Sequence, residues 1–274
     1  MPLVAGRCQP GRASAGHQWT FFTARPRSVS KNYELATWAT INFVYTGNSQ
    51  NYSAFDSLVY AIDNQIGAII SSSYGTCEAA LGGQTLESSL EQGTAQGQTI
   101  VAAAGDQGST DCYGIGTLTT TQWEALAVDY PASSPYVTGM GGTEISNANS
   151  AYDTQGTAYW AAEGNSDVVT SALQYIPEMA WNDDASGCGQ ADCLSSGGGG
   201  ASALFNKPSW QTGVPGISSS ETMREVPDLA LYASPGVPGF LYCTSDSSSW
   251  AAGQSGSCAA GFRDANGVDL TIAG

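Results

Sequence analysis

The chain has 274 residues, enough for one large core or two modest ones, and 24 acidic against 8 basic residues give it a formal net charge of -16. So acidic a surface repels phosphate backbones and anionic bilayers, which argues against nucleic acid or membrane as partners. Charged residues make up only 12% of the sequence, about half the usual share, so a fold that relies so little on carboxylate ion pairs is expected to tolerate acid.

Residues 1 to 33 contain no acid, yet they hold Arg7, Arg12, Arg25, Arg27 and Lys31, together with the sole histidine, His17, and the odd cysteine, Cys8. The segment has neither the apolar run of a signal peptide nor a clear period, and it reads as foreign to the fold, a basic arm or a stretch in a wrong reading frame. Residues 34 to 274 are then the folded part, with no stretch long and apolar enough to span a membrane.

From residue 39 the pattern is regular. "ATINFVY" predicts a strand, and "SAFDSLVYAIDNQ" a helix capped by Ser53 with Phe55, Leu58, Val59 and Ile62 on one face. "AIISSS" predicts the second strand, "TLESSLEQGTAQG" a second helix, "TIVAAA" a third strand and "SPYVTGM" a fourth. This alternation predicts an α/β fold with a doubly wound parallel sheet and right-handed crossovers. After residue 145 clusters of Gly, Ser, Asn and Pro predict loops elaborating the same sheet.

Six of the seven cysteines fall into pairs: Cys77 with Cys112, Cys188 with Cys193, and Cys243 with Cys258. No pair has the two-residue spacing of a zinc site and His17 is remote, so the reading is an exported, oxidised protein without a metal site of that kind.

The inventory narrows the chemistry. A histidine-based triad has only His17, in the foreign segment. "SSGGGGAS" (195 to 202) lacks the lysine of a phosphate-binding loop and follows no clear strand, so it reads as a flexible or substrate-adjacent loop. "GQSGSCAAG" puts Ser255 nearly in a nucleophile elbow, but with the second glycine out of register. "NDDASG", with Asp183 and Asp184, has too few alternating ligands for a calcium loop and reads as a turn. "TIVAAAGDQGSTDC" (99 to 112) is the informative stretch: a continuously apolar strand runs into a lone carboxylate, Asp106, between Gly105 and Gly108. An acid there lies where open α/β sheets place their chemistry, and a turn or helix-capping aspartate gives the same text.

Six phrases together resemble the sedolisin family of serine-carboxyl peptidases, secreted relatives of subtilisin that work in acid. They are "AIISSSYG" (68 to 75), "VAAAGDQGS" (101 to 109), "VDYPASSPYVTGMGGT" (128 to 143), "IPEMAWND" (176 to 183), "SSGGGGASALFNKPSWQ" (195 to 211) and "REVPDLAL" (224 to 231), in family order. The resemblance implies a subtilisin-like fold acting on a peptide or protein substrate. It matches Asp106 to an aspartate of the oxyanion hole, whose protonated carboxyl donates to the tetrahedral intermediate, and a partly desolvated acid among Ala and Gly suits that role. It likewise marks Ser73, Tyr74 and Gly75 as wall residues that pair with an extended substrate, where a plain strand exit is the alternative.

Other parts of the family pattern have no match here. The position expected for the Glu-x-x-x-Asp phrase of the base falls within residues 1 to 33, which contain no acid, and Glu34 is followed four residues later by Trp38. The Gly-Thr-Ser-x-x-x-Pro phrase of the nucleophile is expected directly after "VDLTIAG", and the family's calcium site beyond Gly274. The expectation is therefore a truncated peptidase domain, extracellular and inactive by itself, with no cofactor in this chain and one side of its core uncovered. A non-catalytic peptide-binding pseudopeptidase is the alternative. A nucleotide-binding α/β protein is disfavoured because no strand leads into G-x-G-x-x-G.

Overall fold

The computed structural model describes residues 21–24, 41–46, 51–146, 158–161, 172–184, 194–234, 240–241 and 271–272. His17, Cys8, Glu34, Ser255 and the cysteines at 188, 193, 243 and 258 lie outside them.

The apolar runs become strands where the sequence places them. β1 (Phe21–Ala24) and β2 (Ile41–Val44) precede α1 (Ala54–Asp63), followed by β3 (Ile69–Ser72) and β4 (Thr76–Cys77). Next come α2 (Glu87–Ala95), β5 (Thr99–Ala103), the single turn α3 (Thr120–Trp123), β6 (Asp129–Tyr130) and β7 (Thr138–Ile145). The remaining strands are β8 (Glu178–Ala180), β9 (Gly200–Asn206), β10 (Met223–Val226), β11 (Leu229–Tyr232), β12 (Phe240–Leu241) and β13 (Thr271–Ile272).

The main sheet runs β11-β7-β5-β3-β1-β2, with β8 also on β7. β3, β5, β7 and β11 are parallel, whereas β1 is antiparallel to both β3 and β2, and β8 antiparallel to β7. The sheet is thus mixed and mostly parallel. β1 falls within the basic segment and separates β2 from β3, an arrangement that the text of residues 1 to 33 does not announce.

Ser53 caps α1 in extended geometry, its backbone N–H donating to Asp56 Oδ2 at 2.6 Å. Leu58 and Ile62 are fully buried, with Ala54 and Ala61 completing the stripe, while Phe55 and Val59 flank it half-buried. Both α1 and α2 lie on one side of the sheet and pack on each other. Gly93 of α2 permits that approach, because a Cβ there would stand 2.9 Å from Ile100 Cδ1 and 3.4 Å from Ile62. Leu58, Ile62, Ile70, Leu90, Ile100 and Ala102 form the core between helices and sheet, and Tyr130, stacked on Phe205 at 6.1 Å, closes its end. The alternate residues of the strands face the other way, where Ile69 and Leu231 are each 62% exposed.

The far side of the fold is held by Arg224. It is fully buried, ion-pairs with Asp228 at 2.6 Å and lies 4.7 Å from the Trp210 ring. Asp228 also accepts from the Gly139 N–H at 2.7 Å, which locks β10 and β11 to β7.

Candidate active site around Asp106

β3 and β5 are neighbours in parallel register, Ser72 opposite Ala102, so their exits open at the same edge of the sheet. Ser73, Tyr74 and Gly75 therefore leave β3 beside the loop that carries Asp106 from β5. Ser72 Oγ fixes the start of the first exit, donating to Tyr74 O at 3.0 Å and accepting from Tyr74 N at 3.2 Å. Ser73 and Gly75 are exposed.

Gly105 adopts φ +99° and Gly108 φ +63°, conformations that turn the chain sharply on either side of Asp106. Asp106 is exposed at the edge of the sheet, and partial desolvation by its surroundings raises its carboxyl pKa against the opposing pull of its own backbone N–H. Its exposure limits that shift; a bound substrate that displaced water would extend it. The capping alternative is not what the loop forms: the residues after Asp106 are turns, and α3 begins only at Thr120 under a Thr119 cap.

The glycine-rich run ahead of β9 is a packed segment of the site. Ser196 N–H donates to Asp106 O at 3.0 Å, Gly108 N–H to Ser196 O at 3.0 Å, and Gly198 N–H to Gly105 O at 2.9 Å. A Cβ on Gly198 would lie 2.1 Å from Ala104 O, so only a residue without a side chain fits. Gly197 and Gly198 also line a cleft of about 440 Å³ with Gly142, Glu178, Trp181 and Pro227. Asp183 and Asp184 brace this run: Asp183 Oδ2 accepts from Trp181 Nε1 and Ser234 Oγ, and Asp184 Oδ1 accepts from the Ser195 N–H at 2.7 Å.

Behind Asp106 lie two acids that the sequence reading passed over. Asp111 and Asp129, each only 7% exposed, meet side chain to side chain, and the Cys77–Cys112 disulfide joins the turn that carries Asp111 to β4, the partner strand of Asp129. Burial, offset by the contact with Asp129, pushes Asp111 up to about 6, and burial reinforced by Asp111, Asp106 and Glu78 raises Asp129 well above the usual range. Glu78 accepts from Ser202 Oγ at 2.5 Å and from Ala203 N–H at 2.7 Å, tying the turn after β4 to β9. The available signal was the half-cystine: Asp111 precedes Cys112, and Asp129 stands opposite Cys77 in the β4–β6 pair.

The structure thus places an acid of raised pKa at the carboxyl edge of a central strand, the edge where open α/β sheets bind ligands, and sequence comparison supplies the family. Over 201 residues the chain is 31% identical to sedolisin from Pseudomonas sp. (strain 101), covering 72% of this chain and 28% of that protein. It is 35% identical over 148 residues to kumamolisin from Bacillus sp. (strain MN-32), 52% of this chain and 19% of that one. It is 34% identical over 189 residues to xanthomonalisin from Xanthomonas sp. (strain T-22), 63% and 20% respectively. The chain belongs to the sedolisin family of serine-carboxyl peptidases, and it spans less than a third of the length of these relatives. A solved Pseudomonas sedolisin, complexed with two molecules of pseudo-iodotyrostatin, aligns with a TM-score of 0.49 at 27% identity, over 72% of this chain and 46% of that chain. No family model matches.

Proposed function

We propose that this stretch is the oxyanion-hole and substrate-wall part of an exported serine-carboxyl endopeptidase that cleaves peptide bonds in acid. Asp106, protonated, donates to the oxyanion, and Ser73, Tyr74 and Gly75 pair with the backbone of an extended peptide. The observation that carries the reading is the position of Asp106, turned out at the exit of β5 beside the exit of β3, where desolvation raises its carboxyl pKa. The Cys77–Cys112 disulfide favours an oxidising, extracellular location. Among the described residues no helix is long and apolar enough to cross a membrane.

The 274 residues contain no Gly-Thr-Ser-x-x-x-Pro phrase. The polypeptide by itself is accordingly proposed to bind peptides without forming an acyl-enzyme, and to need no cofactor for that binding. Two measurements on the chain at pH 4 test this. An extended peptide should bind and remain intact, and a peptide aldehyde should leave no covalent adduct by mass spectrometry. Absence of binding refutes the substrate wall, and an adduct refutes the inactivity. In a protein carrying the nucleophile, Asp106→Asn should lower kcat about 10²- to 10³-fold, and an unchanged kcat refutes the oxyanion role. If flanking coding sequence supplies neither nucleophile nor base, the pseudopeptidase reading replaces this one.

A further inference from the structure

Two glycines flank the candidate site on opposite sides, and each is pressed by one carboxyl group. A Cβ on Gly75 would lie 1.7 Å from Asp129 Oδ1, and one on Gly105 would lie 2.4 Å from Asp111 Oδ1. Asp129 and Asp111 thus reach from behind to the α-carbons of the wall and of the Asp106 loop, and touch each other between them. Asp129 Oδ1 has no hydrogen-bond partner although it is buried. The Gln107 side-chain amide group donates to Asp111 O at 3.1 Å and to Tyr113 O at 3.0 Å, holding Asp111 beneath the loop.

We propose that Asp111 and Asp129 act as a clasp that positions the Asp106 loop against the Ser73–Gly75 wall, closed while the pair holds at least one proton and sprung once both carboxyls are ionised. Two buried carboxylates in contact cannot both ionise without strong repulsion, whereas a carboxyl–carboxylate pair makes one short, charge-assisted hydrogen bond. The charged groups acting on the pair are Asp106 from the loop after β5 and Glu78 from the turn after β4, both acidic. Loss of the last proton therefore drives the two elements apart, and the disulfide between Cys77 and Cys112 confines that movement to the glycine-flanked segments. Both acids are positioning residues. Only the catalytic consequence rests on Asp106 being the oxyanion donor; the clasp itself does not.

Hydrogen exchange on the full chain, corrected for the intrinsic pH dependence of the amide rates, tests the clasp without an activity assay. Peptides covering 73–77 and 105–112 should lose protection on the order of tenfold or more between pH 6 and pH 9, while α1 peptides keep theirs. Asp129→Asn, which replaces the last proton by a permanent amide donor, should remove that dependence, and Asp111→Asn should do the same if the first variant folds poorly. Protection that is equal at both pH values in the wild type overturns the proposal, as does an unchanged pH profile in a folded variant. Failure of peptide binding with an intact pH profile would refute the substrate wall and leave the clasp standing.

Discussion

Gly198 rests on the carbonyl of Ala104, so close that a methyl group would lie 2.1 Å from the oxygen. Gly198→Ala must push the glycine-rich run away from the Asp106 loop and break the bond from Gly198 N to Gly105 O. A cost of about 2–4 kcal/mol is expected in urea unfolding; a variant as stable as the parent would mean the two segments are not packed.

Arg224 is expected to be sensitive in a different way. Arg224→Met leaves Asp228 half-buried without its cation and should cost about 3–5 kcal/mol. Adding Asp228→Leu should recover only part of this, because Asp228 also accepts from the Gly139 N–H. Denaturant midpoints of the two variants measure the difference, and full recovery in the double variant would remove the second role.

The Cys77–Cys112 bridge spans 35 residues of sequence, and its loss as Cys77→Ala with Cys112→Ala should cost about 3–4 kcal/mol by the chain-entropy argument. Thermal melts under non-reducing conditions check this, and a change below about 1 kcal/mol would count against the bridge as a structural tie.

The chain should be more stable in acid than at neutral pH. Burial pushes Asp111 up to about 6 from an ordinary 3.8, so its share of stability is whole below the unfolded value and lost as pH rises through the folded one. At about 1.4 kcal/mol per pH unit the loss between pH 4 and 6 is about 3 kcal/mol, and Asp129 and Glu87, also raised by burial, act in the same direction. Glu221 opposes them, since the Met223 and Thr222 amides lower its pKa, but it is at the surface and well screened. A melting temperature that falls from pH 7 to pH 4 would contradict the sign.

The two faces of the sheet should respond unequally. Leu58→Ala, in the core under α1, should cost about 2–5 kcal/mol, and Leu231→Ser, 62% exposed on the other face, less than about 1 kcal/mol. Equal costs would mean that Leu231 is covered.

Much of this was legible because it is local. A continuous apolar run gave β5, shorter apolar stretches pointed to β3 and β7, the Ser53 cap gave the start of α1, and the two cysteines nearest the strand ends formed the pair expected of them. Asp106 could be singled out because glycines isolate it. The antiparallel β1 could not be foreseen, since four residues amid Arg and Pro carry no strand period. Asp111 and Asp129 escaped for a related reason: each looks like a surface turn acid, and only the β4–β6 pairing and the disulfide bring them together. The glycine run was visible as a flexible or substrate-adjacent loop, but its packing on Ala104 was not, because sequence reports missing side chains and not the volume that forbids them.

The bond from Gly139 N–H to Asp228 also sets a schedule for biosynthesis. The two residues are 89 positions apart, and β7 lies between β5, made before it, and β11, made long after. At typical translation rates of about 5–20 residues per second, one edge of the nascent sheet waits roughly 5 to 20 seconds for its partner strand. During that interval Thr138–Ile145 offers unpaired amides and carbonyls to any neighbouring chain, so folding yield in cells should depend on how well that edge is shielded until Leu229–Tyr232 emerges.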